Sequence, residues 1–254
     1  MSVQVYAVLR EWRHPSVLFT NPAPERQTPS FALLEFIPGI SLRTLARAGD
    51  AAATAGAAYE AGLLLARLTA YRFPATGLLT PALTVDTGGF ERPITTARLV
   101  EHFARSPTFQ RRVAKPVTDR LLDLARNAPE SSGAEATLVH GDFNSANVLV
   151  RKVRGRWSVA AILDWEFAFA ASPMCDVGNF LRYERIASPR FEPAFSRGCR
   201  DGGLALDGDW RHAARMGDLP ALCELLARDS VPARIVPELI ELVTATLERR
   251  DVNI

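Results

Sequence analysis

Polar side chains that could do chemistry are concentrated in the stretch "LVHGDFNSANVLV", residues 138–150. A histidine, an acid and two amides lie there between two short apolar runs typical of strands: His140, Asp142, Asn144 and Asn147. Further along, the run "WSVAAIL" predicts another strand, and Asp164 follows it directly. Because antiparallel pairing brings the end of one strand beside the start of its partner, we expect Asp164 close to Asn147, with Asp142 nearby.

These three side chains predict a site for a hard divalent cation. One amide oxygen and two carboxylates, with no thiolate near them in the sequence, favour Mg²⁺ over Zn²⁺. Such a cation keeps several waters and binds best when phosphate oxygens complete its shell. The spacing also matches a signature of phosphoryl transfer, H-R-D-x-x-x-x-N followed by a strand-end Asp. Here "HGDFNSAN" supplies His140, Asp142 and Asn147 in that register, with Gly141 in place of Arg, and "ILDWE" supplies Asp164.

The whole pattern resembles the aminoglycoside phosphotransferase and choline kinase family. The resemblance is carried by "HGDFNSAN", by "LDWEFAFAASPMCDVGNFLR" after it, and by "FALLEFIPGISL" upstream, which is similar to the strand and interlobe hinge of those proteins. It covers roughly residues 15–250. It implies an α+β, protein-kinase-like fold whose mainly helical large lobe carries a small β-hairpin at the active site.

The resemblance also implies a role for each residue of the motif. Asp142 and His140 are the implied catalytic residues: Asp142 orients the acceptor hydroxyl and takes its proton, while His140 braces the loop. Asn147 and Asp164 are the implied ligands of Mg²⁺. Asp176 is implied to support the loop by hydrogen-bonding its backbone.

The nucleotide and the reaction are implied in the same way. The main chain of Glu35, Phe36 and Ile37 is implied to meet the adenine edge of ATP, the co-substrate. The implied reaction moves the γ-phosphate of ATP to a hydroxyl group of a small molecule.

Each of these side chains also has a simpler structural interpretation. Asp142 and Asp164 could cap turns, Asn147 could form an Asx-turn, and Asp176 could cap the helix that follows it. The three acids together with His140 could instead form a metallohydrolase site, although no other histidine lies near them in the sequence.

Two neighbouring features are less informative. Glu166 could be a further ligand or a solvated side chain, and the sequence does not decide between them. The basic stretch "RKVRGR", residues 151–156, is most simply a solvated turn.

Composition narrows the range of partners. The formal net charge of the 254 residues is +2, with 48% hydrophobic and 23% charged residues, so neither nucleic acid nor a membrane is an expected partner. Cys175, Cys199 and Cys223 are odd in number and form no CxxC pair, which predicts reduced thiols in a cytoplasmic protein. The N-terminus has no charged flank followed by an apolar core, so we expect no signal peptide.

The elements that must position the motifs are predicted to be mostly helical. Strands are expected over Val17–Thr20 and "FALLEFI", residues 31–37, and Pro38-Gly39 should end that hairpin. Residues 72–91 are typical of a loop. Helices are predicted over residues 52–71, 94–103, 107–127, 177–185, 219–228 and 233–249.

The resemblance implies two lobes. Residues 1–38 would be a remnant of the small lobe, made of a helix end, a hairpin and the hinge, and residues 39–254 would be the helical large lobe. The chain has no GxGxxG or GxxxxGK[ST] motif and no lysine before Lys115, so the Gly-rich loop and strand lysine that hold phosphates in such kinases are missing. This leaves the activity open, and the alternative is a non-catalytic pseudokinase or small-molecule binding module. Because a two-stranded sheet is marginal alone, we also expect a homo-oligomer that covers the remnant β edge.

Overall fold

The computed structural model of the chain contains small sheets surrounded by helices. It describes residues 15–21, 31–80, 82–86, 95–127, 136–184 and 191–249, so the predicted helix end within residues 6–14 lies outside the described residues. The strands are β1 (Val17–Asn21), β2 (Phe31–Leu34), β3 (Ile40–Ser41), β4 (Arg72–Phe73), β5 (Gly77–Leu78), β6 (Ala136–Val139), β7 (Val148–Val153), β8 (Arg156–Ile162) and β9 (Phe169–Ala171). The helices are α1 (Leu42–Arg47), α2 (Ala51–Leu68), α3 (Thr96–Ala104), α4 (Pro107–Arg112), α5 (Lys115–Asn127), α6 (Met174–Leu181), α7 (Glu192–Asp201), α8 (Trp210–Ala227) and α9 (Val236–Leu247).

Strands β1 and β2 form an antiparallel sheet of their own. The prediction that β2 runs to residue 37 is wrong, because the strand ends at Leu34. The Glu35 N–H still donates to the Ser16 carbonyl at 2.8 Å. The partner strand then reaches Pro15, which has no N–H to offer, and the ladder stops there.

The predicted β7–β8 hairpin is confirmed and belongs to a three-stranded sheet in the order β3-β7-β8. Only Arg154 and Gly155 form its turn, both with positive φ, and the rest of the basic stretch continues the two strands. A four-stranded sheet has the order β4-β6-β9-β5. Strands β4 and β5 lie in the segment predicted as loop, since two-residue strands are too short to leave a periodic signal.

Helix α2 forms where the apolar spacing predicts it and packs closely on α7. Asp50 caps its first turn by accepting a hydrogen bond from the Ala53 N–H at 2.9 Å. A side chain at Gly62 would place its Cβ 2.2 Å from the Phe195 carbonyl oxygen, so glycine is what lets the two helices approach. Helix α7 itself was not predicted.

The helix predicted over 107–127 is two helices. It begins as expected, with the Ser106 hydroxyl accepting from the Phe109 N–H, but Val113 is extended (φ −107°, ψ 130°) and α5 starts afresh at Lys115. Pro116 explains the break, because proline has no N–H and its ring clashes with a preceding helical turn.

The helix predicted to begin at Leu219 in fact begins at Trp210 and passes through Pro220. An interior proline costs about 3 kcal/mol. Burial along the whole length of α8 offsets this cost, because Trp210 and Ala214 join one apolar cluster while Leu219 and Leu222 join another.

The core is divided between those two clusters. The first lies around α2, the three-stranded and four-stranded sheets, α6 and α7, and includes Phe143, Trp165 and Phe195, all less than 2% exposed. The second joins α3, α4 and α5 to α8 and α9. Within the part of the chain that the structure describes, no helix combines the length and apolar character needed to cross a membrane.

Candidate active site

The loop between β6 and β7 holds the Asp142 carboxylate between two amides. Asn144 Nδ2 donates to Asp142 Oδ1 at 2.8 Å, and Asn147 Nδ2 donates to Asp142 Oδ2 at 2.8 Å. The Asn147 amide also reaches the Asp142 carbonyl oxygen at 2.9 Å. Both carboxylate oxygens are therefore oriented by the loop that carries them.

His140 is fully buried beneath this loop and uses both ring nitrogens. Its Nε2 lies 2.9 Å from the Leu163 carbonyl oxygen, and its Nδ1 lies 3.2 Å from the backbone nitrogen of Asp142. A carbonyl only accepts and an N–H only donates, so the ring is the neutral tautomer protonated on Nε2. At 4.5 Å its ring also packs on Trp165. The imidazole thus ties Asp142 to the residue before Asp164 and is not placed to touch a substrate.

Asp176, in the first turn of α6, binds the same loop from below. Its Oδ2 accepts from the His140 N–H at 2.7 Å and its Oδ1 accepts from the Gly141 N–H at 3.0 Å. Gly141 has a φ of +83°, and a Cβ there would lie 2.4 Å from the Phe167 carbonyl oxygen. The backbone of the loop passes too close to its neighbour for any residue other than glycine, which accounts for glycine at this point of the motif.

Asp164 follows β8 and lies at the mouth of the hairpin, as its position in the sequence predicts. The preceding Leu163 N–H donates to the Asn147 carbonyl at 2.9 Å. Asp164 is exposed and adopts the left-handed conformation (φ 66°, ψ 60°), which costs a residue with a side chain about 1–2 kcal/mol. Strain of this kind at the end of a strand is often retained where it aims a functional side chain.

The donor atoms at this point suit a hard cation. The Asn147 amide nitrogen is committed to Asp142, so its Oδ1 is the atom left to bind a cation, and the Asp164 carboxylate could supply further oxygens. In the described ranges, no group of three or more His, Cys, Asp or Glu side chains could hold a metal ion. A Mg²⁺ ion bound by Asn147 and Asp164 would therefore take its remaining ligands from water and from phosphate oxygens.

Burial perturbs three titratable groups of the loop. It raises the pKa of Asp142, although hydrogen bonds from Asn144 and Asn147 oppose the rise. It raises the pKa of Asp176 to about 7, against the hydrogen bonds from the loop N–H groups. It lowers the pKa of His140 to about 4. Asp142 is the one of the three that is only partly buried, and a raised pKa makes its carboxylate a stronger base.

The predicted hinge residues follow β2 directly. The Glu35 N–H donates to Ser16, and Glu35 Oε2 accepts from the Ser16 N–H at 3.2 Å, so this residue is engaged in the hairpin. Phe36 is 86% exposed. Ile37 is partly buried.

Four polar residues of the site region were not assigned roles from the sequence. Asn144 completes the loop by accepting the Ala146 N–H at 2.9 Å, besides its bond to Asp142. Asn179, Arg182 and Asp218 lie behind the loop and are buried. Asn144 lies within the polar stretch itself, but nothing in the sequence links Arg182 to Asp218, which lies 36 residues further along the chain.

Comparison with known proteins identifies the family. A profile described as "Phosphotransferase enzyme family" matches residues 6–214. The chain belongs to this phosphotransferase family. The resemblance drawn from the motif is thereby confirmed. A search of curated protein sequences gives no significant match.

Solved structures show the same fold. The aminoglycoside phosphotransferase APH(4)-Ia, as a thermostable mutant bound to ADP and hygromycin B, matches with a TM-score of 0.65 at 17% identity, over 97% of this chain and 82% of that one. A choline/ethanolamine kinase family protein from Mesorhizobium loti matches with a TM-score of 0.56 at 15% identity, over 97% and 78%. At such identities the likeness concerns the fold alone, and it confirms the predicted α+β, protein-kinase-like class.

Proposed function

We propose that this member of the phosphotransferase family moves the γ-phosphate of ATP to a hydroxyl group of a small molecule. The observation that carries the proposal is the geometry of Asp142. Its two carboxylate oxygens are fixed by Asn144 and Asn147, its pKa is raised by burial, and it lies beside the hairpin mouth that carries Asp164.

In this proposal Asp142 is the general base. Its carboxylate accepts the proton of the substrate hydroxyl as that oxygen bonds to the γ-phosphorus. The bond between the γ-phosphorus and the bridging oxygen breaks, and ADP leaves with the electron pair. Asn144 and Asn147 orient the base. His140 and Asp176 act through the loop as positioning residues, because both are buried and bind its backbone.

Asn147 Oδ1 and Asp164 would hold Mg²⁺, and the main chain of Glu35, Phe36 and Ile37 would meet the adenine edge. The bound cation would neutralise charge on the phosphates. Support for these assignments comes from the oxygen donors at the hairpin mouth and from the exposure of the hinge. The ADP complex of APH(4)-Ia supports ATP as the co-substrate.

The test is phosphate transfer by the Asp142→Asn variant. Purified protein is incubated with Mg-ATP and a panel of aminoglycosides, including the hygromycin B bound by APH(4)-Ia, and of hydroxylated metabolites, and ADP release is followed. We expect turnover with at least one acceptor in the wild type and a loss of about 10²–10⁴-fold in the variant. The matched control is Asp123→Asn, an exposed carboxylate on α5, which should keep wild-type turnover. Equal turnover in Asp142→Asn and wild type would refute the assignment.

A binding module without catalysis is the second candidate: phosphoryl transfer relies on a lysine that holds the phosphates, and a site that lacked one would bind without catalysing. Losing one charge-stabilising contact typically costs about 10²–10³-fold in rate. Calorimetry with ATP separates the two candidates: tight, Mg²⁺-dependent binding favours the phosphotransferase, and no measurable heat favours the binding module.

We also propose the lobe division at residue 38 and a homo-oligomer that covers the small-lobe hairpin. The division is supported because, among the described residues, β1 and β2 pair with each other and with no other strand. The oligomer is supported by several large apolar side chains of that hairpin that are more than half exposed, namely Leu18, Phe19, Phe31 and Leu33. Sedimentation should show a dimer or larger species that Leu33→Glu dissociates, and a monomeric wild type would contradict this part.

A cytoplasmic location completes the proposal. It is supported by the three cysteines, all of them free thiols in the structure, with Cys199 and Cys223 buried.

A further inference from the structure

A buried ion pair lies behind the catalytic loop. Arg182 Nε donates to Asp218 Oδ2 at 2.8 Å and Arg182 Nη2 donates to Asp218 Oδ1 at 2.6 Å, with side chains only 9% and 4% exposed. The pair joins the turn after α6 to the middle of α8. Removing two charges from water is costly, so a buried ion pair is weak evidence of added stability. The presence of this pair therefore raises the question of what else it does.

Asn179 connects this pair to the loop. With the amide nitrogen facing Phe143, Asn179 donates to the Phe143 carbonyl at 3.1 Å, and its oxygen accepts from Arg182 Nη2 at 2.8 Å. The opposite orientation would set oxygen against oxygen and N–H against N–H, so only this one satisfies both neighbours. Phe143 follows Asp142 directly in the chain.

We propose that Asn179 is a positioning residue for the phosphotransferase reaction, holding the Phe143 carbonyl and with it the Asp142 side chain, while Arg182 and Asp218 lock Asn179 in its orientation. The inference rests on the proposed function, because it concerns the placement of the proposed base. A free asparagine amide can rotate by half a turn at little cost. Arg182 prevents the rotation, since a guanidinium offers only donors and so always selects the amide oxygen.

The competing account is that these residues only tie α6 to α8. Asn179→Asp separates the two accounts, because a carboxylate keeps accepting from Arg182 but turns an oxygen towards the Phe143 carbonyl. The helix-to-helix connection then survives while the bond to the loop is lost. We expect the catalytic rate constant to fall about 10–100-fold, the effect of a small misplacement of a catalytic group, with the KM for ATP unchanged.

Hydrogen–deuterium exchange gives a readout that does not depend on turnover. Exchange of the peptide covering residues 141–147 should be at least about tenfold faster in Asn179→Asp, because the loop opens locally more often. The control is Leu242→Ala, which removes a fully buried side chain from the second apolar cluster and should destabilise the protein without changing exchange of that peptide. If Asn179→Asp does not fold, Asn179→Ala takes its place in the same comparison.

The outcomes are distinct. Wild-type exchange at residues 141–147 in the Asn179 variant overturns the inference, and so does faster exchange combined with a wild-type rate constant. If the wild type transfers no phosphate to any acceptor or to water, the proposed function fails, and the exchange result still shows whether Asn179 holds the loop.

Discussion

Asp176, which binds the loop, and His140, which begins it, should mask one another's effect on the pH dependence of stability. In the folded protein the pKa of Asp176 is about 7 and that of His140 is about 4, against ordinary values of 3.8 and 6.5. Asp176 thus contributes stability that is full below about pH 3.8 and is lost as the pH rises to about 7. His140 contributes stability that is present above about pH 6.5 and is lost as the pH falls to about 4. The two groups therefore change the free energy of unfolding with pH in opposite directions, and they do so over the same pH range.

Proton counting gives the size of the effect. Between about pH 4 and 6.5 the folded state holds one proton on this pair, on Asp176, and the unfolded state also holds one, on His140. Equal proton numbers mean no net slope. In Asp176→Asn the folded state holds none and the unfolded state still holds one, so stability should fall by about 1.4 kcal/mol for each unit of pH below 6.5.

The measurement is the melting temperature of Asp176→Asn minus that of the wild type, from pH 6.5 to 4.5. Two pH units correspond to about 2.7 kcal/mol, which for a chain of this length is a drop of about 5–11 °C beyond any constant offset. Groups that titrate alike in both proteins cancel in the difference. His140→Leu should show the opposite slope, losing stability relative to the wild type as the pH rises from 4.5 to 6.5.

Melting temperatures of Asp176→Asn and the wild type that change in parallel with pH would refute this reasoning. If the difference between Asp176→Asn and the wild type stays constant across the range, the two groups do not hold their protons as described. Asp123→Asn, which removes an exposed carboxylate of α5, serves as the control for the loss of a surface acid.

Two further predictions concern the loop and its support. Gly141→Ala should lower both the melting temperature and the rate of phosphate transfer, the rate by at least about 10²-fold, because a Cβ would lie 2.4 Å from the Phe167 carbonyl oxygen at a residue whose φ is +83°. Thermal melting and ADP release measure the two effects. A variant that melts and turns over like the wild type would show that the loop can move away. Trp165→Phe should lower the free energy of unfolding by about 1–3 kcal/mol, because it leaves the Ile162 carbonyl without the indole N–H that donates to it at 3.1 Å. An unchanged midpoint of urea unfolding would contradict this prediction.

The sequence predicts the geometry of the loop and its hairpin better than it predicts the elements around them. Asp142, Asn147 and Asp164 could be placed together because each lies at a fixed distance along a hairpin, and hairpin geometry is local. The same is true of helix α2, where apolar spacing and the Asp50 cap agree over a long segment. Strands β3, β4, β5 and β9 could not be predicted, because strands of two or three residues exist only through pairing with distant partners.

Proline shows why element boundaries were less predictable. Pro116 breaks a predicted helix in two, whereas Pro220 lies inside a helix that was predicted to begin beside it. The residue is the same, and the difference lies in burial: α8 has apolar partners along its whole length, and this tertiary contribution cannot be read from a local pattern.

The contacts of the loop explain what its motif specifies. The Asp176 carboxylate, the His140 ring, and the Asn147 and Asn179 amides all bind main-chain N–H or C=O groups of residues 140–143 and 163. Contacts with the backbone depend mainly on spacing, with Gly141 the exception because no Cβ fits there, so a short signature suffices to set the position of Asp142. The motif therefore identifies the class of reaction, and the choice of acceptor must be encoded by residues outside it.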